Sequence, residues 1–87
     1  MISPIKNQII MLILNIITTI FIAAGIVMLV DNVQAGAFNN NMQFIDAIYY
    51  MIITSGTIGY GDYYPTSSLS RMVLVVIIVM IISVFGN

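Results

Sequence analysis

The chain lacks two residue types on which much of protein chemistry depends, since it contains no cysteine and no histidine. Disulfides, thiolate nucleophiles, imidazole bases and the usual transition-metal ligand sets are therefore excluded. Charge is also scarce, because two cations and three acids among 87 residues leave a net charge of −1. No basic patch is present to neutralise a phosphate backbone, so we expect no nucleic-acid partner, and three scattered carboxylates predict no enzyme.

Apolar residues are abundant instead. Hydrophobic residues make up 61% of the chain and charged residues 6%, whereas a globular domain has about 25% charged residues. This composition predicts a membrane protein with the lipid bilayer as its surroundings. The uncharged run over 9–30 would be about 33 Å long as a helix, enough to cross a hydrocarbon core of roughly 30 Å. It predicts a transmembrane helix, since the apolar region of a cleavable signal peptide is shorter, at about 7–15 residues.

A second apolar run lies at the other end of the chain. Residues 69–86 are apolar apart from Ser70, Arg71 and Ser83, and helix N-cap candidates precede them at 66–68. The run would be about 27 Å long, near the lower limit for spanning. Arg71 can reach the interface with its long side chain, so we predict a second transmembrane helix over 67–87.

Two segments of different character separate these spans. Residues 31–43 are polar and rich in Asn, which predicts a solvent-facing loop. Residues 44–55 are apolar and aromatic, but a helix of that length is only about 18 Å long, so a re-entrant helix is predicted. Gln43 and Asp46 suit its N-terminus, and Gly56 stands where a left-handed glycine commonly ends a helix.

The segment after this short helix reads TIGYGD over 57–62. Irregular backbone at membrane depth is tolerated only where it is buried in protein or lines a water-filled path. Glycines at the alternate positions Gly59 and Gly61 allow successive carbonyl oxygens to face one axis. A line of such carbonyls is a cation site. A Gly-rich turn between two helices is the simpler alternative, but it does not explain the half-length helix.

TIGYGD resembles the potassium-channel selectivity filter, whose usual form is T-V-G-Y-G-D. The resemblance implies that four chains surround one axis and that carbonyl rings replace the hydration shell of K⁺, the permeant ion, with no cofactor. The implied K⁺ ligands are the carbonyls of Thr57, Ile58, Gly59 and Tyr60, plus the Thr57 hydroxyl. Gly61 is expected to shape the outer mouth of the filter.

The resemblance extends over nearly the whole chain, to the miniature potassium channels encoded by algal viruses. It implies an outer transmembrane helix over 9–30, a turret over 31–43, a pore helix over 44–55, a selectivity filter over 57–62 and an inner transmembrane helix over 67–87. The expected fold is thus an all-α membrane protein with two transmembrane helices and a re-entrant pore helix and filter loop, assembled as a homotetramer. Both termini are expected in the cytoplasm, and a viral member would occupy the host cell membrane and the virion internal membrane. The short chain leads us to expect no soluble domain partner.

The resemblance also assigns supporting residues. Asp62 would hydrogen-bond behind the filter to Tyr49, with a solvated carboxylate at the mouth as the alternative. Tyr64 would place an aromatic ring at the outer mouth, with an anchor of the loop at the lipid interface as the alternative. Ser83 and Phe85 are candidates for an inner gate, with the Ser83 hydroxyl donating to the Val79 carbonyl and bending the last turn. Phe85 as a lipid-facing anchor is the alternative.

Two other functions stay open. Gly56 departs from the pattern of the family, in which Ser or Thr is usual, and this departure leaves room for a weakly selective cation pore. A small membrane adaptor with two spans would fit the composition equally well, but it would have no use for the motif over 57–62.

Overall fold

Three helices make up the fold. The computed structural model describes residues 4–85, with Phe85 described only in its backbone. The helices are α1 (Pro4–Val33), α2 (Phe44–Ser55) and α3 (Ser68–Phe85), and no strand is formed within the described residues. The molecule is elongated, with extents of 50 × 22 × 21 Å. The predicted all-α fold class is confirmed.

α1 continues past both ends of the apolar run at 9–30. It begins at Pro4 and has 30 residues, and proline suits the first helical turn because its missing N–H needs no partner there. At its other end α1 passes Asp31 and ends at Val33. A charge limits how deeply a residue enters a bilayer, but it does not interrupt the helical hydrogen bonds. Among the described helices, α1 alone is long and apolar enough to cross a membrane, and the apolar stretch Ser68–Val84 of α3 is shorter.

The hydrophobic core lies around the C-terminal half of α1, which contacts both other helices. Small side chains there allow close approach, since Ala23, Ala24 and Val27 are buried. From α2, Ala47 and Met51 are buried in the same cluster. The residues of α3 in this cluster are Leu74, Ile77 and Ile81.

The N-terminal half of α1 has apolar side chains that the chain itself leaves exposed. They are Ile5, Ile9, Ile10, Met11, Leu12, Ile13 and Leu14. Exposing apolar surface to water costs roughly 25 cal/mol per Å². These side chains surround this part of α1, so it belongs against lipid or another protein surface.

The loop between α1 and α2, residues 34–43, is only partly solvent-facing. Ala37, Phe38 and Met42 are buried, so the prediction of a solvent-facing loop was wrong for these three. The Met42 N–H donates to the Asp31 carboxylate at 3.3 Å, which ties the end of the loop back to α1. The apolar residues therefore turn inward while Asn40 and Asn41 remain exposed.

α3 begins with a reciprocal cap. The Ser70 N–H donates to Ser67 Oγ at 3.1 Å, and the Ser67 N–H donates to Ser70 Oγ at 3.1 Å. This pattern is that of a capping box, in which two side chains satisfy orphan N–H groups at a helix start. Ser67 is thus the cap rather than the first helical residue, and its hydroxyl also donates to Gln34 Oε1 at 2.6 Å.

Candidate ion-binding site

The helix α2 leads into the segment 57–62. A hydrogen bond within the first turn of α2 holds the N-terminus of this helix. The Gln43 N–H donates to the Asp46 carboxylate at 2.9 Å. This carboxylate also lies near the positive end of the helix dipole, where it is stabilised. The structure gives α2 as Phe44–Ser55, the bounds that the apolar run suggests.

The C-terminal carbonyls of α2 accept hydrogen bonds from the residues that follow. These bonds are Gly56 N to Ile52 O at 2.9 Å, Thr57 N to Thr54 O at 3.2 Å, Ile58 N to Ile53 O at 3.0 Å and Gly59 N to Ile53 O at 3.3 Å. They satisfy carbonyls that a helix end leaves without a partner. The start of the segment 57–62 is therefore attached directly to the last turn of α2.

The left-handed residue after α2 is Thr57 and not Gly56. Gly56 has φ −78°, whereas Thr57 has φ 61°, so the prediction that Gly56 would end the helix in the left-handed region was wrong. The reason is that the Gly56 N–H continues the helical pattern to Ile52 O. The chain leaves the helix one residue later than the glycine suggests.

Left-handed backbone recurs at every second residue of the segment. The φ angles are 61° at Thr57, 57° at Gly59 and 80° at Gly61. Successive carbonyls of an extended strand point to opposite sides, but alternation of left-handed and right-handed residues turns successive peptide groups the same way. Glycine takes positive φ without the Cβ penalty, which explains its presence at two of the three positions.

The segment 57–61 is exposed along its whole length in one chain. The side chains of Ile58 and Tyr60 are 53% and 70% exposed. The Thr57 hydroxyl donates to the Gly56 carbonyl at 2.6 Å, and its oxygen lone pairs stay available to a cation. No group of three or more His, Cys, Asp or Glu side chains that could hold a metal ion occurs within residues 4–85. The oxygen atoms within this segment are its main-chain carbonyls and the hydroxyls of Thr57 and Tyr60.

Asp62 and Tyr49 lie together in the structure. The side chain of Tyr49, on α2, lies beside the carboxylate of Asp62, and a hydrogen bond between the two is the main influence on the pKa of the phenol. This hydrogen bond, with burial and the charge of Asp62, raises the pKa of Tyr49 above its usual value. The hydroxyl therefore stays protonated and donates to the carboxylate.

Tyr63 is a second tyrosine that supports the segment, and the sequence analysis did not single it out. Burial, the charge of Asp46 and a hydrogen bond to Asp46 raise the pKa of Tyr63. Its ring lies 6.3 Å from that of Tyr49 and 6.5 Å from that of Tyr50. Tyr50 in turn meets the buried Phe38 edge to face at 6.0 Å. These four rings form an aromatic cluster between α2 and the two loops, and no periodic sequence signal could have identified it.

The loop before α2 pairs with the residues after the segment. The Thr66 N–H donates to the Ala37 carbonyl at 2.8 Å, and the Thr66 hydroxyl donates to the Gly36 carbonyl. Phe38 and Pro65 form an isolated antiparallel bridge. Asn39 donates from Nδ2 to the Asp62 carbonyl at 2.7 Å and accepts at Oδ1 from the Tyr64 N–H at 2.8 Å. The sequence analysis treated this loop only as a turret and missed Asn39.

The remaining predicted residues lie at the two ends of the molecule. Tyr64 is 50% exposed beside this pairing. Ser83 is exposed on α3, and the hydrogen bonds within the described part of the chain do not include one from its hydroxyl to the Val79 carbonyl. The side chain of Phe85 lies outside the described residues, so the inner gate stays a prediction.

Comparison with known proteins identifies the family. The chain belongs to the ion channel family, which matches residues 9–87. It is 31% identical over 78 residues to the hyperpolarization-activated voltage-gated potassium channel of Methanocaldococcus jannaschii, a match that covers 90% of this chain. It is 34% identical over 68 residues to the calcium-activated potassium channel slowpoke of Drosophila melanogaster, covering 75% of this chain. The resemblance to potassium-channel pore domains is thereby confirmed, and the chain is a membrane protein of a channel family, not of an enzyme family.

These relatives are much longer than the chain. It spans 36% of the archaeal channel and 6% of the fly channel. A shorter match, 40% identical over 35 residues, relates it to two-pore potassium channel 4 of Arabidopsis thaliana, with 12% of that protein covered. No solved structure matches the chain significantly.

Proposed function

We propose that the chain is the pore of a potassium-selective channel and that K⁺ crosses the membrane passively through the segment 57–62. The observation that carries this proposal is the left-handed backbone at Thr57, Gly59 and Gly61 directly after a helix too short to span a bilayer. The carbonyls of Thr57, Ile58, Gly59 and Tyr60 serve as K⁺ ligands, with the Thr57 hydroxyl at the inner end. The relatives named as potassium channels support the same ion.

The working unit is a homotetramer. One chain offers a single exposed segment, and its carbonyls lie on one side of an ion at most, so cyclic symmetry must supply the other sides. Four copies of α2 would direct the negative ends of their helix dipoles at a common point and favour a cation there. The exposed residues of 57–61 would then be covered by their own copies and by ions.

α1 and α3 are the two membrane spans of each subunit, with both termini on the cytoplasmic side. α3 has 18 residues, which corresponds to about 27 Å and is close to the minimum for a span. Asp31, Asp46 and Asp62 would all lie near the outer mouth, where they attract cations. Salt is expected to weaken this attraction.

A weakly selective cation pore is the second candidate, and Gly56 is the observation that favours it. Position 56 carries no hydroxyl, whereas Ser or Thr is usual at this position in the family. The two candidates share every other feature of the site, so the test must measure selectivity and not conduction alone.

The deciding experiment is single-channel recording of the purified protein in a planar bilayer. Under opposed K⁺ and Na⁺ gradients, a potassium-selective channel reverses near the K⁺ equilibrium potential, whereas a weakly selective pore reverses near zero. A variant with residues 57–61 in scrambled order is the control, and we expect it to insert without conducting. Absence of any current from the wild type, or equal current from the scrambled variant, would reject both candidates.

A further inference from the structure

Two different elements hold Asp62 at two different points. Its carboxylate lies beside the Tyr49 phenol of α2, and its main-chain carbonyl accepts a hydrogen bond from Asn39 Nδ2 of the loop 34–43. We propose that Asn39 is a positioning residue for the selectivity filter, which fixes the main chain at the outer end of 57–62 in its conducting arrangement. This inference rests on the proposed function and adds to it a control point outside the filter itself.

Asn39 uses both ends of its amide in this contact. Nδ2 donates to the Asp62 carbonyl at 2.7 Å, and Oδ1 accepts from the Tyr64 N–H at 2.8 Å. The partners determine the orientation of the amide, because a carbonyl can only accept and an N–H can only donate. The Asn39 N–H adds a third bond, to the Tyr64 carbonyl at 3.1 Å. One residue therefore bonds to the main chain on both sides of Tyr63.

The loop that carries Asn39 is itself anchored. The preceding residue Phe38 is 4% exposed and bridges to Pro65. Ala37 is fully buried and accepts from the Thr66 N–H. A side chain on such a backbone has a defined position, and this is what a positioning residue requires.

The filter needs a support of this kind at its outer end. Gly61, which precedes Asp62, has φ 80°, and a Cβ built there would meet no atom within 4 Å in the same chain. No packing of the chain at that point holds the peptide, and glycine has the widest choice of conformations. The bond from Asn39 fixes the Asp62–Tyr63 peptide, which holds Asp62 in place. The Gly61–Asp62 peptide is then anchored at its far end, so the last part of the filter is restrained through Asp62.

The variant Asn39→Asp removes the hydrogen bond to the Asp62 carbonyl while the main-chain contacts of the loop remain possible. Asn39→Asp keeps an oxygen for the Tyr64 N–H but places a second oxygen against the Asp62 carbonyl, where a donor stood. The adjacent and exposed Asn40 gives the matched control, because Asn40→Asp adds the same charge one residue away. Asn39→Ser, which removes the amide without adding charge, serves as the second variant if Asn39→Asp does not fold.

Two readouts are needed, both on full-length protein in lipid nanodiscs or bilayers. The first is amide hydrogen exchange at Tyr64, whose N–H donates to Asn39 Oδ1, and it reports local opening independently of conduction. The second is the Na⁺ to K⁺ permeability ratio from reversal potentials. In Asn39→Asp, repulsion between the new carboxylate and the Asp62 carbonyl opens this contact, so we expect exchange at Tyr64 and the permeability ratio both to rise about fivefold or more, the factor that corresponds to one lost hydrogen bond. Asn40→Asp should match the wild type in both.

Each other result overturns the proposal. Unchanged exchange in Asn39→Asp would show that the bond does not restrain the filter end, and faster exchange with an unchanged permeability ratio would show that it does not position the ion ligands. Equal effects of Asn39→Asp and Asn40→Asp would assign the change to charge alone. A wild type that conducts no K⁺ would remove the proposed function and with it this inference, while exchange would still report the bond itself.

Discussion

Two consecutive stretches of the same loop are held in opposite ways. Residues 57–61 are exposed, and their hydrogen bonds to the rest of the chain run back to the last turns of α2. Residues 62–67 bond to the loop before α2 at the Asp62 carbonyl, Tyr64, Thr66 and Ser67. Residues 62–67 together with the loop 34–43 are therefore fixed by contacts within one chain. Residues 57–61 depend instead on their own backbone angles and on what covers them.

The largest effect is expected from a substitution that changes the backbone angles of residues 57–61, and Gly59 is the site for it. Gly59→Ala places a Cβ on a residue with φ 57°, which costs about 1–2 kcal/mol per chain and is repeated in every copy of a ring. We expect loss of K⁺ conduction in bilayer recordings. Within the chain no atom lies within 4 Å of the added Cβ, so the chain itself opposes the substitution only through the backbone angle.

Gly25→Ala is the matched control, since Gly25 lies within α1 and an added Cβ there also meets nothing within 4 Å. Its φ is not in the left-handed region, so Ala should leave conduction unchanged and favour the helix by about 0.5–1 kcal/mol. Normal K⁺ conduction with Na⁺ rejection in Gly59→Ala would contradict the assignment of the filter.

The next effect is expected at Tyr49, whose ring packs against Tyr63 and whose phenol lies beside the Asp62 carboxylate. Tyr49→Phe keeps the ring contact with Tyr63 but removes the hydrogen bond to the Asp62 carboxylate. We expect a higher Na⁺ to K⁺ permeability ratio, with the same elution volume as the wild type on gel filtration. Tyr63→Phe should change the ratio less, because Asp46 keeps its bond from the Gln43 N–H. If Tyr63→Phe has the larger effect, the support of the filter runs through Asp46 and not through Asp62.

A smaller effect is expected at the outer mouth. Four exposed Tyr64 rings around the pore axis would attract a quaternary ammonium ion by about 0.5–2 kcal/mol. External tetraethylammonium should therefore block the channel, and Tyr64→Val should raise the blocking concentration by roughly twofold to thirtyfold on the same basis. Tyr63→Phe is the control, because Tyr63→Val would also remove ring contacts with Tyr49 and Tyr50. An unchanged blocking concentration in Tyr64→Val would place Tyr64 away from the pore axis.

The smallest effect is expected at Gly56, which the structure leaves free of backbone strain. Its φ of −78° suits any residue, and the tight contact of an added Cβ is with the Ile52 carbonyl at 3.1 Å. Gly56→Ser restores the hydroxyl usual in the family and should lower the Na⁺ to K⁺ permeability ratio slightly. Gly56→Ala has the same Cβ without the hydroxyl and isolates the steric part. Equal ratios in both variants would show that the hydroxyl contributes nothing here.

Local patterns in the sequence account for the helices and for the motif of the filter. An apolar run of a dozen or more residues predicts a helix because a helix satisfies the backbone N–H and C=O groups within the segment itself, and the apolar run at 44–55 gives the bounds of α2. Glycine at 59 and 61 predicts positive φ, because a residue without a Cβ adopts the left-handed region with no steric penalty. These properties depend on neighbours along the chain, and the sequence displays them directly.

The tertiary structure alone decided which distant residues contact the residues next to the segment 57–61. Asn39 and Asp62 are separated by 23 positions, and nothing periodic links a polar loop residue to a carbonyl so far along the chain. The same holds for Tyr63 against Asp46 and for the buried Phe38. Each of these follows from how α2 packs on α1 and brings the two loops side by side, because hydrogen bonds between loops form only where packing has already placed their backbones together.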